Sequence, residues 1–343
     1  MNTLKIPAGL EHSWHPIAWS KTLKDNPLAA TVLDKQIVVF RDNEGKAQVM
    51  EDRCLHKGVK LSGGRCVSTG IECPYHGWIF NAKGEVVKVP SHLEGDKMPT
   101  RRVAAYRTIE QQETIWFTFS DKPYRENPPD WHFYEKHSFT TVLDIDCEYL
   151  RLMENLVDNP HAGYIHNGLL RGKPSNQVTA TIKETETGVH IQTKGERARR
   201  SWLYRLFGET DREIYHTEEY IVPNIIRTIF SHQGRTHSSS QFVCVPVSEK
   251  KTRVFYRITL DFYFAQLFIP VLKLMVDKIL HQDKDMLEKE AKQEWADPNF
   301  KRTFCKADTP SIWMARMAKD YAEKGPQIFD ERNFKSIDVD YYL

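Results

Sequence analysis

The sequence predicts an α+β chain of two domains, an all-β domain followed by an antiparallel sheet wrapped around a long helix. Three observations carry that expectation. Short β-branched and aromatic runs separated by turn signals fill the first ~130 residues. Longer alternating runs, bracketed by helical patterns, fill the rest. Between them DKPYRENPPDW (121–131), rich in proline and charge, reads as a linker, which places the domains at 1–130 and 131–343.

In the first part TVLDKQIVVF (31–40), AQVMED (47–52) and IWFTF (115–119) read as strands, with turns at Asp42–Gly45, Ser62–Gly64 and Ala82–Gly84. In the second, EEYIVPNIIRTIF (218–230), QFVCVPV (241–247) and TRVFYRITLDFYF (252–264) are the strand candidates. Val254, Tyr256, Ile258, Leu260, Phe262 and Phe264 alternate along the last of these, so one face is apolar. A helix is expected to start at Pro270, a suitable first-turn residue, and to run past Glu290; another spans Ser311 to Ala322.

Composition narrows the class. Of 343 residues, 40% are hydrophobic and 27% charged, and 17 Phe, 14 Tyr and 8 Trp argue against disorder. A net charge of +2 provides no field for nucleic acid or an anionic membrane. The N-terminus MNTLKIPAGL lacks the basic and apolar regions of a signal peptide, so a cytoplasmic location is expected. The most apolar stretch, Phe262 to Leu280, has an uncharged run of only 11 residues, Phe262 to Leu272, short of the ~18 that cross a bilayer. With no export signal, the six cysteines of the chain are expected to be reduced.

Two of those cysteines sit beside histidines. Cys54-Leu55-His56 and Cys73-Pro74-Tyr75-His76 each offer a thiolate and an imidazole, with 16 residues between His56 and Cys73. Gly58, Gly63, Gly64 and Gly77 permit tight loops around a metal. The same four ligands would hold one structural zinc, although zinc sites favour Cys-x₂-Cys knuckles. One Cys and one His on each of two loops better suits a 2Fe–2S centre with two sulfur ligands on one iron and two nitrogens on the other.

A second constellation lies in EYLRLMENLVDNPHAGYIH (148–166). Asn155, Asp158 and His161 fall at i, i+3 and i+6, on one helical face, and Pro160 and Gly163 then disturb the helix so that His166 approaches His161. Two imidazoles lack one carboxylate for the facial triad that binds iron(II). In the helix from Pro270, Leu272, Val276, Ile279 and Met286 form an apolar stripe that also contains Asp283. A carboxylate on such a stripe is costly unless paired or metal-bound. Asp283 is thus the expected third ligand, with Asp285 the fallback. Asp277, Asp285 and Glu288 lie off the stripe and are expected to be solvated, and Glu290 is a poor candidate.

CLHKGVKL with CPYHGW, followed by Asn-x₂-Asp-x₂-His-x₄-His, resembles the α-subunits of Rieske-type non-heme iron oxygenases, including vanillate O-demethylase and oxygenases of chlorophyll catabolites and sterols. Leu55 and Lys57 replace the Pro and Arg common in that family, and neither is a ligand. Val59 and Tyr75 stand where respiratory Rieske proteins carry a disulfide. The resemblance implies a Rieske domain followed by a helix-grip (START-like) catalytic domain. It implies one 2Fe–2S cluster on Cys54, His56, Cys73 and His76, and one mononuclear Fe(II) on His161, His166 and Asp283. It further assigns Asp158 to link a Rieske histidine with an iron-ligating histidine across a subunit boundary of a homotrimer, and lets Asn155 line the iron pocket.

The expected function is that of a terminal oxygenase using O₂ to hydroxylate or oxidatively demethylate a small, mainly apolar ring substrate. The rival reading is a Rieske electron carrier or non-catalytic homologue, which needs no second iron. No GxGxxG fingerprint occurs, so a separate NAD(P)H-dependent reductase or ferredoxin is expected as partner. The basic and aromatic segment GERARRSWLYRLFG (195–208) reads as a solvated loop, a subunit interface, a reductase dock, an anion site or a membrane-surface contact.

Overall fold

The computed structural model describes residues 8–131, 137–169, 173, 176–197, 213–232, 235–261, 265–297, 299–330 and 333–343. The chain divides into two compact units, Gly9–Trp131 and His132–Leu343.

The first unit contains ten strands: β1 (His15–Trp19), β2 (Leu28–Val32), β3 (Lys35–Arg41), β4 (Ala47–Glu51), β5 (Arg65–Val67), β6 (Gly70–Glu72), β7 (Ile79–Phe80), β8 (Val86–Lys88), β9 (Ala105–Gln111) and β10 (Thr114–Thr118). They form a sheet in the order β1-β10-β9-β4-β3-β2 and a smaller one in the order β5-β6-β7-β8. Residues 31–40, expected as one strand, fold back as the β2–β3 hairpin. Leu33 and Asp34 turn it with φ of 52° and 61°, the left-handed pair that matches hairpin twist, without the glycine or asparagine that announces such a turn. The presumed linker is instead bound to this unit. Trp131 is buried and donates its indole N–H to Thr114 Oγ1 at 2.9 Å, while the Tyr124 N–H donates to the His12 carbonyl at 2.9 Å. An apolar core of Val38, Phe40, Met50, Leu61, Ile71 and Phe80 also encloses Cys54 and Cys73.

The second unit is built on an antiparallel sheet of β11 (His137–Ile145), β12 (Gln177–Thr185), β13 (Gly188–Arg197), β14 (Glu213–Ile221), β15 (Ile225–His232), β16 (Arg235–Ser248), β17 (Lys251–Leu260) and β18 (Ser336–Tyr342). Their order is β11-β17-β16-β15-β14-β13-β12-β18. Segment 218–230, expected as one strand, is split at Val222–Asn224, where Pro223 cannot donate to a ladder. In β17 Val254, Tyr256, Ile258 and Leu260 are all buried, as their alternation predicts, while Phe262 and Phe264 lie outside the described residues.

Among the described residues the α-helices are α1 (Tyr149–Val157), α2 (Ala162–Ile165), α3 (Ala265–Ala296) and α4 (Thr309–Lys324). The long helix starts more than a turn before Pro270, which lies inside it rather than at its first turn. Its buried line also differs from the expected stripe. Leu272, Ile279, Asp283, Leu287 and Ala291 are buried, whereas Met286 is 46% exposed. From Ile279 onward the contact follows the i+4 row, and Met286 lies one step off it.

Arg151 fastens α1 to α3. It is buried, contacts Glu148 at 3.0 Å and Glu290 at 2.5 Å, and donates to Glu294. The Trp295 indole N–H adds a 2.7 Å bond to Glu148. Removing the cation would leave acidic groups facing one another in a partly dry site, which costs about 3–5 kcal/mol for a broken buried pair. Arg151→Met is therefore expected to lower the denaturant midpoint of this unit strongly. A shift below about 1 kcal/mol would show that the cluster is too hydrated to matter.

Candidate metal centres

Cys54 follows β4 and Cys73 follows β6, and the two loops have matching backbone bonds. Cys54 N–H donates to the Val59 carbonyl (2.8 Å) and Gly58 N–H to the Cys54 carbonyl (2.9 Å). Cys73 N–H donates to the Trp78 carbonyl (2.8 Å) and Gly77 N–H to the Cys73 carbonyl (3.1 Å). Gly58 and Gly77 close these loops at φ of 75° and 69°, which other L-residues rarely adopt. Asp52, buried beneath the first loop, accepts both the N–H and hydroxyl of Ser62 at 2.7 and 2.6 Å. Sequence reasoning missed this brace.

The thiols are buried and the imidazoles exposed. The rings of His56 and His76 lie 4.5 Å apart, and His56 stacks on Trp78 at 4.8 Å. Burial pushes the Cys54 thiol up to about 11, against the N–H groups of His56 and Lys57 that point at its sulfur; the adjacent Cys73 adds to the rise. Two buried sulfurs, backbone donors aimed at one of them and two outward imidazoles suit an asymmetric 2Fe–2S cluster, whose positive iron would offset the cost of the thiolates.

In the second unit α1 stops at Val157. Asp158 is its extended C-cap, so Asp158 and His161 do not continue one helical face with Asn155. The helix ends three residues before Pro160, which disfavours helical backbone in Asn159 just ahead of it. His161 then precedes and His166 follows the single turn α2.

This turn delivers both rings to Asp283. His166 Nε2 lies 3.0 Å and His161 Nε2 3.5 Å from Asp283 Oδ1, and the three candidate ligand atoms fall within 4.8 Å of one another. The outer nitrogens are also placed. His166 Nδ1 is 3.0 Å from Gln282 Oε1, which makes Nδ1 the protonated donor and leaves the Nε2 lone pair facing inward. His161 Nδ1 is 3.5 Å from Asp158 Oδ2. Asp283 is only 6% exposed, and its Oδ1 lacks a hydrogen-bond partner. Burial alone would raise this carboxyl, but His161 and His166 outweigh it and hold it below the usual carboxylate range. Burial likewise opposes charge on His161, yet Asp158 and Asp283 lift it to about 9. A dry carboxylate and two inward imidazoles are a donor set that a divalent cation would satisfy.

Other expected residues fall elsewhere. Asn155 is half-buried on α1 with no hydrogen-bond partner for Oδ1. Asp285, the fallback ligand, is exposed and pairs with Lys289 at 2.5 Å, while Glu290 serves Arg151. Asp277 and Glu288 are not simply solvated: Asp277 accepts the Tyr256 hydroxyl at 2.9 Å, and Glu288 accepts the Asp146 N–H at 3.1 Å. Of the basic and aromatic segment, residues 198–208 lie outside the described residues.

A buried cluster went unforeseen. His216 on β14 places Nδ1 2.8 Å from Glu196 and Nε2 3.0 Å from Glu218, all three nearly inaccessible. Burial opposes its charge, but the carboxylates prevail and lift it to about 9. A raised histidine stabilises the fold fully below its unfolded value, near 6.5, and loses that contribution as pH rises through about 9. Unfolding free energy is therefore expected to decline over this window in a denaturant–pH series. Its decline should be shallower in His216→Gln, and equal slopes would contradict the assignment.

Fold and sites together define a two-part chain: a small β domain with a Cys₂His₂ loop pair, and a sheet-and-helix domain with a two-histidine, one-aspartate constellation. Residues 13–107 match the Rieske [2Fe-2S] domain, and residues 145–324 match the vanillate O-demethylase oxygenase C-terminal domain. The chain belongs to the Rieske oxygenase family with this C-terminal domain. It is 28% identical over 279 residues to Protein TIC 55 of Pisum sativum, covering 79% of this chain and 48% of the relative. It is 29% identical over 292 residues to chlorophyllide a oxygenase of Chlamydomonas reinhardtii, covering 82% and 42%. The chain thus spans about half the length, or less, of these curated relatives. Dicamba monooxygenase bound to 3,6-dichlorosalicylic acid superposes with a TM-score of 0.81 at 19% identity over 94% of this chain and 99% of that one, a likeness of fold.

Proposed function

We propose that this chain is the terminal component of a Rieske monooxygenase that hydroxylates or oxidatively demethylates a small, mainly apolar ring substrate, aromatic or sterol- and tetrapyrrole-like. The observation that carries the reading is the convergence of His161, His166 and Asp283 in a chain that also holds the Rieske loop pair. An electron carrier has no use for that second donor set. Similarity to chlorophyllide a oxygenase and, in fold, to dicamba monooxygenase supports a ring substrate.

In this reading Cys54, His56, Cys73 and His76 hold the 2Fe–2S cluster, and His161, His166 and Asp283 hold one Fe(II). When bound, the two groups supply single electrons and reductive activation of O₂. The protein's own contribution is placement. The exposed rings of His56 and His76 present the cluster edge to a neighbour, and Gln282 fixes the His166 tautomer. Asp158 orients His161 and, with 36% of its side chain exposed, remains accessible to a second subunit's Rieske histidine. Asn155, whose buried Oδ1 lacks a hydrogen-bond partner, is proposed to line the iron pocket.

A homotrimer, a cytoplasmic location and a separate NAD(P)H-dependent reductase or ferredoxin belong to the same proposal; sedimentation and fractionation test the first two. Among the described residues no helix is long and apolar enough to cross a membrane. The activity test is O₂ uptake by iron-loaded protein with a reductase and ring compounds bearing methyl, methoxy or N-methyl groups. Uptake that depends on one compound, with equimolar hydroxylated product or formaldehyde, is expected. Cluster reduction without any compound-dependent uptake would favour a carrier.

A further inference from the structure

The loop that carries Asp158 and His161 is held from the sheet by a polar chain outside the candidate ligand set. Asn159 Nδ2 donates to Glu218 Oε1 at 3.1 Å. The amide orientation follows from chemistry, since a carboxylate in this setting can only accept. Glu218 is 2% exposed and faces His216 Nε2, whose Nδ1 faces Glu196. Both ring nitrogens meet carboxylate oxygens, so His216 carries both protons and fixes the two acids on either side. Backbone bonds complete the link: the Asp158 N–H reaches the Asn155 carbonyl at 3.2 Å, and the Ala162 N–H reaches the Asn159 carbonyl at 3.3 Å. Asn159 thus ties the stretch between Asp158 and His161 to β14 through its side chain.

We infer that Glu218, braced by His216 and Glu196, is a positioning residue that holds Asn159 and thereby sets the His161 ring toward the mononuclear metal. Asp158–His161, the four residues between α1 and α2, belong to neither helix, and a ring displaced by a fraction of an ångström loses its lone-pair alignment. The apolar and charged parts of this unit would fold without the Asn159 bond, so its expected effect lies in the metal site rather than in stability. The inference rests on His161 being a metal ligand.

The test is Co(II) titration of protein stripped of mononuclear iron but retaining its cluster, followed by the cobalt d–d absorption, with a melting curve for each variant. Asn159→Ala is expected to weaken Co(II) binding about 10- to 100-fold, the range for groups that orient a ligand, with little change in melting. Glu218→Leu should weaken it similarly, while Glu218→Gln, which keeps an acceptor oxygen for Asn159, should restore most of the affinity. The double variant Asn159→Ala/Glu218→Leu should bind no worse than the weaker single variant. Wild-type affinity and spectrum in Asn159→Ala, or full additivity in the double variant, would overturn the inference. If Glu218→Leu fails to fold, Asn159→Ala alone decides it. Absence of a second Co(II) site in the wild-type protein would instead remove His161 as a ligand, a separate failure.

Discussion

Asp283→Ala is expected to abolish turnover and empty the mononuclear site while leaving the visible and EPR spectra of the Rieske cluster unchanged. The separation follows from where the residue sits. Asp283 lies on the second unit's long helix, and its Oδ1 is the atom on which both His161 and His166 converge at 3.5 and 3.0 Å. The alanine leaves two imidazoles, a far weaker donor set for a hard divalent ion than the same pair with a carboxylate. Folding should survive, because the substitution also removes a buried charge whose partners are those two rings. Iron analysis and dithionite-reduced EPR on one preparation check the outcome. Full mononuclear loading with retained turnover would move the third ligand elsewhere.

Asp158→Asn tests a different role. The carboxylate is 3.5 Å from the outer nitrogen of His161 and partly exposed, so it is proposed to orient that ring and to bridge to a Rieske histidine of a neighbouring subunit. The amide keeps the shape and loses the charge. Both metals are therefore expected to remain, while transfer of an electron from the reduced cluster slows by at least the about 10- to 100-fold typical of lost orienting partners. Single-turnover stopped flow, monitoring reoxidation of the cluster with substrate and O₂ present, reads this directly. Reoxidation at the wild-type rate would exclude the bridge.

What the sequence made legible was chemistry carried by local spacing. The Cys/His pairs lie within loops of a few residues, and His161 and His166 are brought together by one turn of helix. Asp283 was reachable from a distance because an acid on an apolar helical stripe has to be explained. The stripe itself was drawn one residue off at Met286, since i+3 and i+4 steps are not distinguished until the partner surface is known. The Leu33–Asp34 hairpin was missed because its residues do not advertise left-handed backbone. In 121–131 proline and charge describe the solvent side alone, while Trp131 and Tyr124 anchor the other side to the first unit. Residues around the centres were the least visible: Gln282 and the Glu196–His216–Glu218 cluster meet their partners only through helix docking and strand pairing, and Ser62 meets Asp52 only once the first loop folds back. A register shift between Thr193 and Glu196 on β13 brings Glu196 beside His216, and no sequence pattern forecasts it.

The claim that one chain carries both redox centres is tested most directly by iron and acid-labile sulfide per chain, with EPR before and after dithionite. About three irons and two sulfides per chain, with a reduced Rieske signal, are expected. Zinc without sulfide, or two irons with two sulfides that no added ferrous iron raises to three, would contradict it.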